Sequence, residues 1–115
     1  MPRYLIQASY NQGGVSGLLS NPQDRAEAIR PVVEGMGGKL ESFDYALGEY
    51  DVVAIVELPD NITAAALAMA VGAGGALKEY KTTALVSVSE AMEAMRKAAG
   101  AGYRSPGPRL GPASR

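Results

Sequence analysis

Residues 51–58 read DVVAIVEL, and the five residues from Val52 to Val56 are all apolar. A run of this length, rich in β-branched residues and bounded by turn residues, predicts a β-strand. Successive side chains of a strand point to opposite faces of the sheet, so an uninterrupted apolar run is typical of a sheet that is covered on both faces. Helices of the same chain can cover one face. A chain of 115 residues has no layer left for the other, so we expect another subunit to cover it.

Strand and helix patterns alternate on both sides of this segment. The helix patterns have apolar residues three or four positions apart, and the strand patterns alternate with period two. They predict helices over residues 21–36, 62–71 and 90–99 and further strands over residues 3–10, 39–47 and 77–88. The order βαββαβ plus a terminal helix is that of the α+β, ferredoxin-like fold. We expect a four-stranded antiparallel sheet with the first and third strands in its centre.

Several local residues carry predictions of their own. Asn21 is expected to cap the first helix and Ser89 the last, because short polar side chains accept hydrogen bonds from the first free N–H groups of a helix. Pro31 lies inside the first helical pattern, where proline removes a hydrogen bond; we expect a kink near Glu27 and one helix, not two.

The segment from Asn11 to Gly17 contains three glycines between a strand and a helix. We interpret it as a flexible turn. The alternative is an anion-binding loop, because backbone N–H groups before a helix can cradle an anion. The spacing matches neither the P-loop nor the dinucleotide-binding pattern, which favours the turn.

Charge is unevenly distributed along the chain. Residues 1–101, which we take as one domain, carry 8 Lys/Arg and 12 Asp/Glu, a net charge of −4. Residues 102–115 carry three arginines and no acid, and their Gly and Pro content predicts a flexible tail. Because nucleic-acid affinity depends largely on neutralising phosphates, an acidic body predicts no nucleic-acid partner.

The chain contains neither Cys nor His. Disulfides, thiolate nucleophiles, zinc–thiolate sites, Ser-His-Asp triads and histidine metal ligands are therefore excluded. No clustered carboxylates suggest an oxygen-ligand metal site, so we expect neither metal nor cofactor. No apolar run approaches the roughly 20 residues that span a bilayer and no signal peptide is evident. We expect a cytoplasmic protein that has no membrane partner.

The candidate site residues lie at two strand ends. Tyr10, Gln12 and Gly13 follow the first strand, and Tyr50 and Asp51 belong to the hairpin before the third. A phenol combines an apolar body with a polar tip, which suits a ligand or an interface. The simpler interpretation is that the hairpin residues only build a turn. The tyrosines at 10, 45 and 80 are likewise candidates for a cleft or for the core.

The segments YNQG at 10–13, GEYDVV at 48–53, IVELPD at 55–60 and LKEYKTT at 77–83 together resemble the bacterial GYD-domain family, whose name comes from a Gly-x-Tyr-Asp hairpin. Further similarity lies at residues 37–40 and 64–66, so the resemblance spans about residues 3–98. It implies a ferredoxin-like domain of the dimeric α/β-barrel type, whose sheets pack face to face between subunits. The chain departs from the family at Tyr10, where many members have Trp, at Pro31, and in the tail after Gly100.

Three functions fit these observations. The first is a non-catalytic oligomeric module that binds a small molecule or a protein near Tyr10, Gln12, Tyr50 and Asp51. The second is a cofactor-independent oxygenase or isomerase of the dimeric α/β-barrel type, with Tyr, Asp and Lys as its only acid–base groups. The third is a metabolite-sensing oligomer similar to PII-type signalling proteins. Fold alone does not separate them.

Overall fold

The structure is a computed structural model and describes residues 1–107. The strands and helices are, in chain order, β1 (Arg3–Tyr10), α1 (Gln12–Ser20), α2 (Arg25–Gly35), β2 (Lys39–Tyr45), β3 (Val52–Glu57), α3 (Asn61–Ala73), β4 (Leu77–Leu85) and α4 (Val88–Ala99). The chain divides into two compact units, one spanning Met1–Leu85 and the other beginning at Val86.

The first unit contains a four-stranded sheet in the order β2-β3-β1-β4, with every neighbouring pair antiparallel. This confirms the ferredoxin-like fold, with β1 and β3 in the centre. Ile6 of β1 lies opposite Ala54 of β3 and Thr82 of β4. Because directly opposed residues point to the same face of a sheet, this register assigns the strand residues to two faces, apart from the register shifts at Ser9/Tyr10 and Leu40/Ser42.

One face of the sheet packs against α2 and α3 and forms the core. Its strand residues alternate with those of the other face: in β3, Val52, Ala54 and Val56 are buried, whereas Val53, Ile55 and Glu57 are half-buried. The helices contribute Val33 from α2, and Ala64 and Leu67 from α3. The other buried apolar residues of this core are Tyr4, Ile6, Leu40 and Leu58. Burial of these side chains is the main stabilising contribution to the unit.

The other face of the sheet mixes apolar and charged residues. Leu5, Val53 and Ile55 occupy its centre and are half-buried, while Glu79 and Lys81 on β4 are exposed. The apolar run of β3 thus places apolar side chains on both faces of the sheet, as the sequence predicted. Only the first of them is buried by α2 and α3.

Residues 12–20 form a helix, α1, and the prediction of a flexible turn there was wrong. Asn11 caps this helix by accepting the N–H of Gly14 at 2.8 Å, and its own side chain donates to the carbonyl of Gly75 at 2.7 Å. Three glycines weaken a helix through their backbone entropy. Here the cap and the contact with the segment before β4 compensate for that cost; the cap is local, whereas the contact depends on residues distant in sequence.

The cap of α2 is also displaced from its predicted position. Asn21 ends α1, with its N–H bonded to the carbonyl of Gly17 at 3.0 Å, and Asp24 caps α2 by accepting the N–H of Glu27 at 3.0 Å. Both residues are good caps, and the unexpected α1 gives Asn21 a different role. Pro31 lies inside a single helix, as predicted; the kink near Glu27 stays a prediction.

The second unit contains α4, which is capped by Ser87 and not by Ser89. The Ser87 hydroxyl accepts the N–H of Glu90 at 3.1 Å, and the Glu90 carboxylate accepts the N–H of Ser87 at 2.9 Å. This reciprocal pair is a capping box, and these bonds hold the pKa of Glu90 below its usual value. The predicted tail begins at residue 102, and its residues 108–115 lie outside the described part of the chain.

No helix within residues 1–107 is both long and apolar enough to cross a membrane.

The glycines of α1 provide a test of this helix. A Cβ on Gly14 would overlap the backbone carbonyl oxygen of Ala76, whereas a Cβ on Gly17 would meet nothing within 4 Å. Gly14→Ala should lower the free energy of unfolding by about 1–3 kcal/mol through overpacking. Gly17→Ala should raise it by up to about 1 kcal/mol, because alanine favours a helix interior. Urea unfolding measures both; a flexible turn at residues 12–17 predicts no such difference.

Candidate functional site

A cavity of about 320 Å³ lies between the helix-covered face of the sheet and the helices α2 and α3. It is at the end of the sheet where β1 ends and where β3 and β4 begin. Its floor is formed by small apolar side chains, among them Ala8, Val52 and Ala54, and Val71 and the exposed Ala70 line it from α3. The volume and the apolar lining are typical of small-molecule sites.

Few polar side chains reach this cavity. Among the described residues that line it, Arg25 is the one charged residue, and Tyr10 and Tyr80 contribute phenols. Phe43 adds a third aromatic ring, which meets the ring of Tyr45 edge-on at a centroid distance of 5.8 Å. The cavity is therefore an aromatic and aliphatic pocket with a cation at one side.

Both phenols are shifted toward their protonated form. Burial, assisted by the neighbouring phenol of Tyr45 and by Asp51, raises the pKa of Tyr10 to about 12, although Arg25 acts in the opposite direction. Burial also raises the pKa of Tyr80. Desolvation has this effect because it disfavours the charged phenolate. At neutral pH both groups are hydrogen-bond donors, and neither is a ready base.

The hairpin before β3 holds the end of β1 through Asp51. The carboxylate of Asp51 accepts the backbone N–H of Tyr10 at 3.0 Å, and the N–H of Asp51 donates to the carbonyl of Ala8 at 2.9 Å. The backbone carbonyl of Asp51 accepts the N–H of Ala46 at 2.8 Å. The buried Ser9 hydroxyl donates to the carbonyl of Glu49, also in the hairpin, at 3.4 Å. These bonds fix the backbone of Tyr10 at the wall of the cavity.

A family model described as the GYD domain matches residues 4–95 of the chain. This match covers most of the chain and includes the hairpin and all four strands. The protein belongs to the GYD-domain family. Among curated proteins and among solved structures, no significant match is found.

The structure separates the residues of the GYD domain that the sequence singled out. Tyr10 lines the cavity, and Asp51 supports it through the backbone. Tyr50 is half-buried and lies outside the lining, and its hydroxyl makes no hydrogen bond to any described residue. Gln12 is exposed at the start of α1, and Gly13 lines a neighbouring groove. The assignment of these five residues to a ligand site stays a prediction.

Arg25 was not among the residues predicted for the site. In the sequence it follows Asp24, and the predicted cap at Asn21 placed it inside the first turn of a helix. With the cap at Asp24, Arg25 is instead the first residue of α2 and reaches the cavity. Recognising Asp24 and Glu27 as the start of the helix would have placed Arg25 at the first position of α2, although not in the cavity.

No group of three or more acidic residues within residues 1–107 is arranged to hold a metal ion.

The contribution of Asp51 can be measured by substitution. Asp51→Ala should reduce the free energy of unfolding by about 1–3 kcal/mol, because the part-buried N–H of Tyr10 loses its acceptor. Asp51→Asn should cost less, since the amide oxygen can still accept that bond. Tyr50→Phe is the matched control and should leave the urea midpoint unchanged. A silent Asp51→Ala variant would contradict the supporting role of the hairpin.

Proposed function

We propose that this GYD domain is a non-catalytic oligomeric binding module that holds a small, mainly apolar molecule in the cavity at the end of β1. The observation that carries the proposal is the lining itself: aliphatic and aromatic side chains surround about 320 Å³, with few polar groups. Apolar surface removed from water supplies the affinity, and the few polar groups orient the ligand.

The protonation state of the phenols favours binding over catalysis. A general base acts best when its pKa lies near the working pH, and the pKa of Tyr10 is about 12. Asp51 uses its carboxylate to hold the backbone of Tyr10 and does not line the cavity. Tyr10 and Tyr80 are therefore suited to donate hydrogen bonds to a ligand.

A substitution that occupies the cavity tests this proposal. Ala70→Leu adds a branched side chain at the cavity wall, and Ala65→Leu adds the same atoms at an exposed position of α3 outside the lining. With 3-phenylpropan-1-ol as an uncharged probe, Ala70→Leu should weaken binding about tenfold by displacing about two methylene groups of contact. Calorimetric titration measures the affinity.

The control variant should bind the alcohol as the unsubstituted protein does. Equal affinity of all three proteins, or no binding to any of them, would contradict a ligand site in this cavity. Native mass spectrometry of the protein purified from its own host would identify a retained ligand, and an added mass that disappears in Ala70→Leu would support the same site.

The oligomeric part of the proposal rests on the second face of the sheet. Leu5, Val53 and Ile55 form an apolar centre there that α2 and α3 do not bury. Apolar patches rimmed by polar residues commonly mark protein interfaces. Face-to-face packing of two such sheets would cover this centre.

Sedimentation equilibrium at micromolar concentration should show a dimer or a larger closed oligomer of the 11.9 kDa chain. Ile55→Lys should dissociate it, because a lysine would be buried unpaired in the interface. Ile62→Lys is the control, since Ile62 is 81% exposed on α3. A monomer in the unsubstituted protein, or dissociation by the control alone, would overturn self-association through this face.

A further inference from the structure

A second depression, a groove of about 310 Å³, adjoins the cavity and shares three of its lining residues, Tyr10, Arg25 and Ala76. Its other wall is the glycine face of α1, including Gly13 and Gly17. Arg25 and Tyr10 thus stand at the junction between an apolar compartment and a more open groove. A ligand group placed at this junction would touch the cavity on one side and water on the other.

The guanidinium of Arg25 is oriented at this junction by neutral partners. Its Nη1 donates to Oε1 of Gln23 at 2.8 Å, and Nε2 of Gln23 donates to the carbonyl of Asn21 at 3.2 Å. Gln23 and Asn21 both line the groove. This chain of hydrogen bonds holds the guanidinium while using only part of its five N–H donors.

Arg25 differs from other arginines of the same unit in its charge partners. Arg3 is paired with Glu41 at 3.1 Å, and Arg30 with Glu27 at 3.1 Å. Within residues 1–107, no carboxylate forms a salt bridge with Arg25. Its charge nevertheless acts on the site, because it lowers the pKa of Tyr10 against the larger effect of burial.

We propose that the site selects an apolar carboxylic acid, with the carboxylate at Arg25 and the apolar body in the cavity. This inference rests on the proposed function and adds the chemical class of the ligand. A guanidinium forms directed, charge-assisted hydrogen bonds to a carboxylate, and the protonated phenol of Tyr10 is a further donor at the same junction.

The surroundings fit a single negative charge better than a phosphate dianion. Arg25 is the one cation among the described lining residues of both the cavity and the groove. Asp24 and Glu27 lie in the same helix start and add negative charge nearby. The groove leaves the carboxylate partly hydrated, so one guanidinium suffices to offset its desolvation.

The test compares two probes of one shape, 3-phenylpropionate and 3-phenylpropan-1-ol, by calorimetric titration at neutral pH. The unsubstituted protein should bind the acid about tenfold or more tightly than the alcohol, the factor that a hydrogen bond to a charged group typically supplies. Arg25→Gln should remove this preference, because it weakens the binding of the acid far more than that of the alcohol. Arg30→Gln, on the same helix and outside both linings, should retain the preference.

The outcomes separate this inference from the function on which it rests. If both probes bind equally, the ligand class is wrong. If the preference survives in Arg25→Gln, the placement of the carboxylate at Arg25 is wrong. The apolar binding site stands in both cases. If neither probe binds, both proposals are overturned. Tighter binding of 2-phenylethyl phosphate than of the acid would also overturn the assignment of a carboxylate.

Discussion

The hydrogen bond from the backbone N–H of Tyr10 to the carboxylate of Asp51, 3.0 Å long, is the constraint on which the cavity depends. β1 is one of the two central strands and pairs with both β3 and β4. Its last residues pair with β4 but extend past the start of β3, where the part-buried N–H of Tyr10 would lack a strand partner, and such a group is costly without an acceptor. Asp51 supplies the acceptor, and Tyr10 consequently stands at the cavity wall.

The cavity exists because two helices approach this end of the sheet without filling it. The end of α3 faces it with Ala70 and Val71, the small Gly74 follows directly after the helix, and α2 begins only at Arg25. The chain between Tyr10 and α2 is instead taken up by α1, which packs so closely that Gly14 admits no Cβ. Close packing on one side and small side chains on the other leave an apolar space, and Arg25, the one cation among its described lining residues, lies at the edge that faces α1.

The two sheet faces divide the proposed functions between them. The face beneath α2 and α3 contains the core and, at one end, the cavity, so ligand binding would act on the same elements that stabilise the unit. The opposite face contains the half-buried Leu5, Val53 and Ile55 and is the one that we propose for self-association. Since neighbouring residues of β3 point to opposite faces, the apolar run of one strand serves both purposes.

The sequence by itself determined the strand order, the antiparallel sheet, the family and the helical stripe of α2, because each depends on periodicity or on short motifs that neighbouring residues define. It also singled out Tyr10 and Asp51 as candidate site residues, although not the hydrogen bond that joins them. Only the tertiary structure decided that residues 12–20 form a helix and that Arg25 lines the cavity. The helix depends on bonds from Asn11 to Gly75 and Ala76. These partners are more than sixty residues away, where no local pattern can indicate them.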